Sequence, residues 1–181
     1  MTPVDFKRLW EADGTRLCPV PFDELSDAAI PKSTREFLVL AGLPEDAAPF
    51  LSFDAKSRGH ASDPIRLAMN RPDLVVVGAN GSGDPIAVHR DGTLVSLNHG
   101  AGFLESYINR DVETFAEAAL RMRTLVGETQ GQVGPDAYLD GLVPAALADT
   151  FRSFLSGADP RALEPGALWA EEIGSWAAAV R

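Results

Sequence analysis

The sequence predicts an α+β fold: a single domain with a twisted, mostly antiparallel sheet packed by helices. Three observations predict it. Apolar, β-branched runs follow one another through the middle of the chain with no helix between them. A doubly wound parallel sheet needs a helical crossover at each step, so consecutive strands argue for antiparallel pairing. Amphipathic helical stretches gather toward the two ends. The length of 181 residues suits one core with short appendages.

The elements follow in order. Val4 to Ala12 puts Phe6, Leu9 and Trp10 on one side of a short helix, within an N-terminal helical stretch of about 3–12. Thr2 and Pro3 suit an N-cap and a first helical residue, and Asp13-Gly14 ends it. Cys18-Pro19-Val20-Pro21 is extended, because proline disfavours helix in the residue before it. Ser33-Thr34-Arg35-Glu36 fits a capping box opening a second helix, with Phe37, Leu38 and Leu40 as its apolar face and Gly42 and Pro44 closing it.

Phe50-Leu51-Ser52-Phe53 reads as a short strand, and Lys56 to Pro64 as a polar loop. The Leu74–Gly78 run lacks alternation, which suggests a strand covered on both faces. Asp91-Gly92 signals a hairpin with a two-residue turn. Taken literally, it pairs His89 with Leu94, Val88 with Val95, Ala87 with Ser96 and Ile86 with Leu97. Val88, Val95, Ile86 and Leu97 then face the core, and His89, Leu94, Ala87 and Ser96 face away. Phe103 to Ile108 makes a further strand.

Helices close the chain. Val112, Phe115, Ala116, Ala119 and Leu120 mark one from about Asp111 to Val126, ended by Gly127. Gly127 to Gly141 reads as a loop. Pro144 starts a helix with Leu147, Phe151, Phe154 and Leu155 on one stripe. A last helix carries Trp169, Ile173, Trp176, Ala177 and Val180, with Glu171 and Glu172 off that face in solvent. The core then spans about 30–126, with the helices of about 143–180 packed on it.

Composition narrows the function classes. The formal net charge is −10. Residues 1–60 carry −3, residues 61–127 carry −2 and residues 128–181 carry −5. Phosphate binding draws on clustered Lys and Arg, so nucleic acid and anionic membrane are not the expected partners. No apolar run reaches the ~18 residues of a membrane span. Met1 to Trp10 has no signal-peptide stretch, and a single Cys18 excludes an internal disulfide. The expectation is a bacterial-type cytoplasmic protein, with no cysteine-based zinc site.

Candidate chemistry is sparse. Gly78-Ala79-Asn80-Gly81-Ser82-Gly83-Asp84 is glycine-rich, but it lacks the Lys and the following helix of a phosphate loop. A tight inter-strand connection accounts for it better. His60, His89 and His99 are the histidines, and His89, Asp91 and His99 could meet across the hairpin. Metal binding asks for three or four oriented ligands, so surface or hydrogen-bonded histidines are the simpler reading. Asp84 and Asp91 could pair as acid and base, yet both adjoin turns, where Asp bonds its own backbone. No serine sits in a Gly-x-Ser-x-Gly elbow, and no His neighbours Cys18 in sequence. Trp169 and Trp176 stand seven apart with Ile173 and read as core.

The stretch Leu74-Val75-Val76-Val77-Gly78 through Gly81-x-Gly83-Asp84-Pro85-Ile86-Ala87-Val88 to Asp91-Gly92-x-x-Val95-x-Leu97-Asn98-His99 resembles the SUKH superfamily, nearest its SUKH-4 branch. So do Ile30-Pro31 through Phe37-Leu38 to Gly42-Leu43-Pro44, and Phe103–Ile108 running into the helix with Phe115 and Leu120. The resemblance covers about Ile30 to Leu125 and rests on glycines, turns and apolar periodicity. It implies an immunity protein that binds a cognate bacterial toxin, plausibly a nuclease or deaminase, and neutralises it by occlusion without catalysis and with no cofactor. A basic toxin would suit the acidic charge. Two alternatives remain open at this point: a regulatory or scaffold module of the same superfamily, and a small-molecule enzyme using the Gly78–Asp84 loop. For a binder, the expected partner surface is the Asn80–Asp84 loop (Asn80, Ser82, Asp84) and the outer edge of the hairpin (His89, Asp91, Leu94, Ser96).

Overall fold

The computed structural model describes residues 1–59 and 71–177. The expected positions His60 and Val180, and most of the expected 56–64 loop, lie outside the described residues. Residues 55–59 are helical.

Helix α1 (Pro3–Trp10) starts as the sequence indicates, with Thr2 Oγ1 accepting from the Asp5 N–H. It buries Phe6 and Trp10, while Leu9 is 40% exposed. Strand β1 (Leu17–Cys18) pairs with β2 (Leu43–Pro44). A short α2 (Phe22–Leu25) and α3 (Lys32–Leu40) lie between them. The capping box is not made. Helix α3 opens at Pro31, so Ser33 and Glu36 sit inside it, and Glu36 pairs with Lys32 at 3.4 Å. Gly42 follows α3 at φ +74°, where a Cβ would overlap the Cys18 backbone.

The main sheet is six-stranded and antiparallel, and its spatial order is its chain order. It comprises β3 (Asp46–Ala47), β4 (Leu51–Ser52), β5 (Leu74–Asn80), β6 (Pro85–His89), β7 (Leu94–Asn98) and β8 (Leu104–Asn109). Helices α4 (Val112–Gln132), α5 (Ala145–Ala158) and α6 (Leu168–Ser175) follow. They pack with α1 and α3 on one face of the sheet. The core there joins Phe6, Phe37, Phe53, Ile86, Val88, Leu94, Phe115, Phe151 and Trp169. Ala87, Val95 and Leu97 form a second buried cluster with Leu74, Val76 and Phe103. The β5 run is thus apolar on both faces, though Leu74, Val75 and Val76 are only half-buried.

The hairpin register differs from the expectation by one residue. Val88 pairs with Leu94, Ala87 with Val95 and Ile86 with Ser96. The turn has three residues, Arg90-Asp91-Gly92. The His89 N–H donates to the Thr93 carbonyl, the Gly92 N–H donates to the His89 carbonyl, and Gly92 has φ +97°. That is a turn closed by a left-handed glycine. The extra residue exchanges the faces of β7. Leu94 is therefore fully buried against the helices and Ser96 is 7% exposed. Neither belongs to an outer edge, which corrects their assignment to a partner surface.

Helix α4 also departs from expectation. It starts where the sequence indicates, with Asp111 as its N-cap, but it runs through Gly127 and Gly131 to Gln132. Leu125 and Thr129 are buried on its continuation, so packing overrides the glycine penalty. Helix α6 ends at Ser175, with Trp176 just beyond it. Glu172 is half-buried, accepting from the Tyr138 hydroxyl at 2.7 Å and from Trp176 Nε1 at 3.0 Å.

A buried carboxylate locks the C-terminal helices to the sheet. Asp159, 3% exposed, accepts from the Tyr107 hydroxyl, Asn109 Nδ2 and the Arg110 N–H at 2.9 Å each. Asn109 Oδ1 in turn accepts from Trp169 Nε1 at 2.9 Å. Burial and the bond to Asp159 both push the Tyr107 phenol up.

Candidate partner-binding surface

One end of the sheet collects the β3–β4 corner, the β5–β6 turn and the β7–β8 connection, because antiparallel neighbours bring alternate termini together. The β5–β6 turn is internally bonded. The Asn80 N–H donates to the Asp84 carbonyl, and the Gly83 N–H to the Asn80 carbonyl, at 2.9 Å each. Asn80 Oδ1 accepts from the Ser82 and Asp84 N–H groups at 3.0 and 2.9 Å. Asn80 Nδ2 donates to Asp84 Oδ2 at 3.0 Å. The Ser82 and Asp84 amides that a phosphate would need are thus already occupied.

Asp84 ties this turn to the next connection. Its Oδ1 accepts from the His99 N–H at 2.9 Å and lies 2.7 Å from His99 Nδ1. Burial works against its charge, but the bonds from His99 and Asn80 outweigh it and hold the carboxyl below the usual range. His99 opens a 3₁₀ turn whose Ala101 N–H donates to Asn98 Oδ1. Ser82 remains exposed at the tip.

His89 and Asp91 lie at the opposite end of β6, roughly 17 Å away for five residues of strand. His89 therefore does not meet His99, and Asp91 does not meet Asp84. Among the described residues, no group of three or more His, Cys, Asp and Glu stands so as to hold a metal ion. The Asp91 carboxylate bonds the Thr93 N–H at 2.9 Å, which keeps its pKa low. His89 joins an ion cluster absent from the sequence reading. Arg71 contacts Asp73 at 2.7 Å and Glu105 at 2.9 Å, and His89 contacts Glu105 at 3.1 Å and Asp73 at 3.6 Å. The Arg71 bonds bring the Asp73 carboxyl down to about 2, against the opposing effect of burial.

The sheet end bearing Asn80 also carries apolar groups that sequence reading did not single out. Phe50 is 69% exposed and Leu104 68%. A groove of about 490 Å³ lies beside Phe50, bordered also by Asp46, Leu51, Asn80, Gly81 and Tyr138. The only advance signal was the aromatic at the edge of a short strand.

The sequence matches the SUKH-4 immunity protein family over residues 4–176. The chain belongs to this family. The match runs from α1 past the end of α6, well beyond the Ile30–Leu125 stretch that first suggested it. Neither a curated protein nor a solved structure matches the chain. Membership in the SUKH-4 immunity family implies action against a toxin, and hence a toxin polypeptide as partner. No helix among the described residues is long and apolar enough to cross a membrane.

Proposed function

We propose that this SUKH-4 protein neutralises its toxin by stoichiometric occlusion, in the cytoplasm, with the acidic protein covering a basic toxin surface. The observation that carries the reading is charge. The chain holds −10, and half of that lies in residues 128–181. Asp136, Asp140, Asp149, Glu164 and Glu171 are all exposed there. A nuclease or nucleic-acid deaminase must cluster Lys and Arg to hold phosphates. An acidic cover competes for those groups and associates quickly, since complementary fields raise association rates. The mode is binding and not catalysis, and it needs no cofactor.

The contact in this reading falls at the sheet end with Asn80, Ser82 and Asp84. His89 and Asp91 lie outside it, at the far end.

The test begins with the tagged protein as bait in lysate at low and moderate salt. The expected capture is one basic polypeptide at 1:1 that arrests growth when expressed alone and is relieved by co-expression of this protein. A captured polypeptide that is harmless alone, or one whose toxicity persists on co-expression, contradicts the reading.

A further inference from the structure

Phe50 holds a backbone conformation that aromatic residues rarely adopt. Its φ is +54°, in the left-handed region that favours glycine and asparagine. Burial does not compensate, since the side chain is 69% exposed. Such conformations persist where neighbouring structure imposes them, and they gather at binding sites. Here the constraint comes from both sides. Leu51 pairs with Ala47 on β3 and with Asn80 on β5, so the chain must turn sharply just before it. Gly81 lies directly against Phe50, where an added Cβ would stand 3.1 Å from the Phe50 Cβ.

The groove beside Phe50 is walled by Ala47, Ala48, Leu51 and Tyr138. The Tyr138 ring is held in place by its hydroxyl, which donates to Glu172 at 2.7 Å. Leu139, 64% exposed, follows it. Among the described lining residues Asp46 is the one charged side chain, and it is exposed. Asp136 and Asp140, also exposed, bracket Tyr138 in the chain. The result is an apolar groove bordered by one exposed carboxylate, Asp46.

We propose that this groove is where the toxin docks, taking an apolar or aromatic toxin side chain that neighbours a lysine or arginine, with the cation meeting Asp46. The inference rests on the immunity reading above and names the face and the chemistry it recognises. Charge selects this occupant over a second copy of the chain, which would bring another molecule of net charge −10, with its own Asp46, against the first. Aromatic side chains lining a pocket that a partner fills and desolvates are the usual composition of a binding hot spot.

The experiment measures affinity for the toxic polypeptide captured above, with wild type, Phe50→Gly, Asp46→Lys and Asp91→Asn compared by calorimetry. Phe50→Gly should melt no lower than wild type, because glycine suits φ +54°, yet bind at least tenfold more weakly. Asp46→Lys should lose at least tenfold at low salt and less at high salt. Asp91→Asn, at the far end, should bind within twofold. Wild-type affinity retained by both Phe50→Gly and Asp46→Lys overturns the groove assignment while leaving the immunity reading intact. A wild-type protein that neutralises no toxin removes that reading, and this inference with it. A concentration-dependent dimer that Phe50→Gly abolishes would assign the groove to a second copy and also overturn the proposal.

Discussion

Asp159 shows how one side chain can hold two parts of the molecule together. It sits at the end of α5, and the donors it satisfies belong to β8 and the residue just after it, about fifty positions earlier in the chain. Its removal leaves the Tyr107 hydroxyl, Asn109 Nδ2 and the Arg110 N–H without their acceptor. Each buried donor left unpaired costs on the order of 1–3 kcal/mol. Asp159→Ala should therefore destabilise the fold by about 3 kcal/mol or more, read as a lower urea midpoint. A loss under about 1 kcal/mol would show that water or relaxation satisfies those groups. None of this was legible in the sequence, where nothing local links Asp159 to donors about fifty positions earlier. Phe50 was equally hidden, because the sequence places it inside a short strand.

At the scale of elements, local signals served well where local contacts decide. The α1 cap, the start of α4 at about Asp111 and the turn after β5 were all readable, since each depends on a few adjacent residues. The meander order of the sheet follows from the same locality. Two elements turned on a single residue or on packing. Reading Asp91-Gly92 as a two-residue turn moved the β7 register by one and reversed its faces, placing Leu94 and Ser96 on the wrong side. Gly127 looked like a stop, but the buried Leu125 and Thr129 carry α4 onward. Nothing lies within 4 Å of a Cβ added at Gly127. Gly127→Ala should thus stabilise the protein by about 0.5–1 kcal/mol, raising the urea midpoint with an unchanged slope. Gly78→Ala should do the opposite, because its Cβ would overlap the Ser52 carbonyl and the Phe53 ring. Equal effects from the two alanines would contradict this account of the packing.

For the whole molecule, paired charge contributes to stability, and net charge is the basis of the proposed recognition. Several carboxyls sit below their ordinary values, with Asp73 brought to about 2 by its bonds to Arg71 and Asp54 and Asp91 lowered by backbone hydrogen bonds. A folded pKa below the unfolded one gives stability that is complete above the unfolded value, near 3.8 for Asp73, and lost as pH falls through about 2. Melting temperature should therefore drop between pH 5 and 2, and Asp73→Asn should drop less over pH 4 to 2 than wild type. Identical slopes for the two would deny the Arg71–Asp73 pairing its role. The fold class and the family were legible because they rest on apolar periodicity and turn glycines. The groove was not, because it joins the β3–β4 corner to Asn80 and to Tyr138, segments widely separated in the chain. The central claim is that one protein molecule silences one toxin molecule by covering it. The most direct measurement titrates the protein into a fixed amount of the captured toxin while following toxin activity. The account predicts a linear fall that reaches zero at one equivalent. Complete inactivation at a small fraction of an equivalent would mean turnover, and would contradict occlusion.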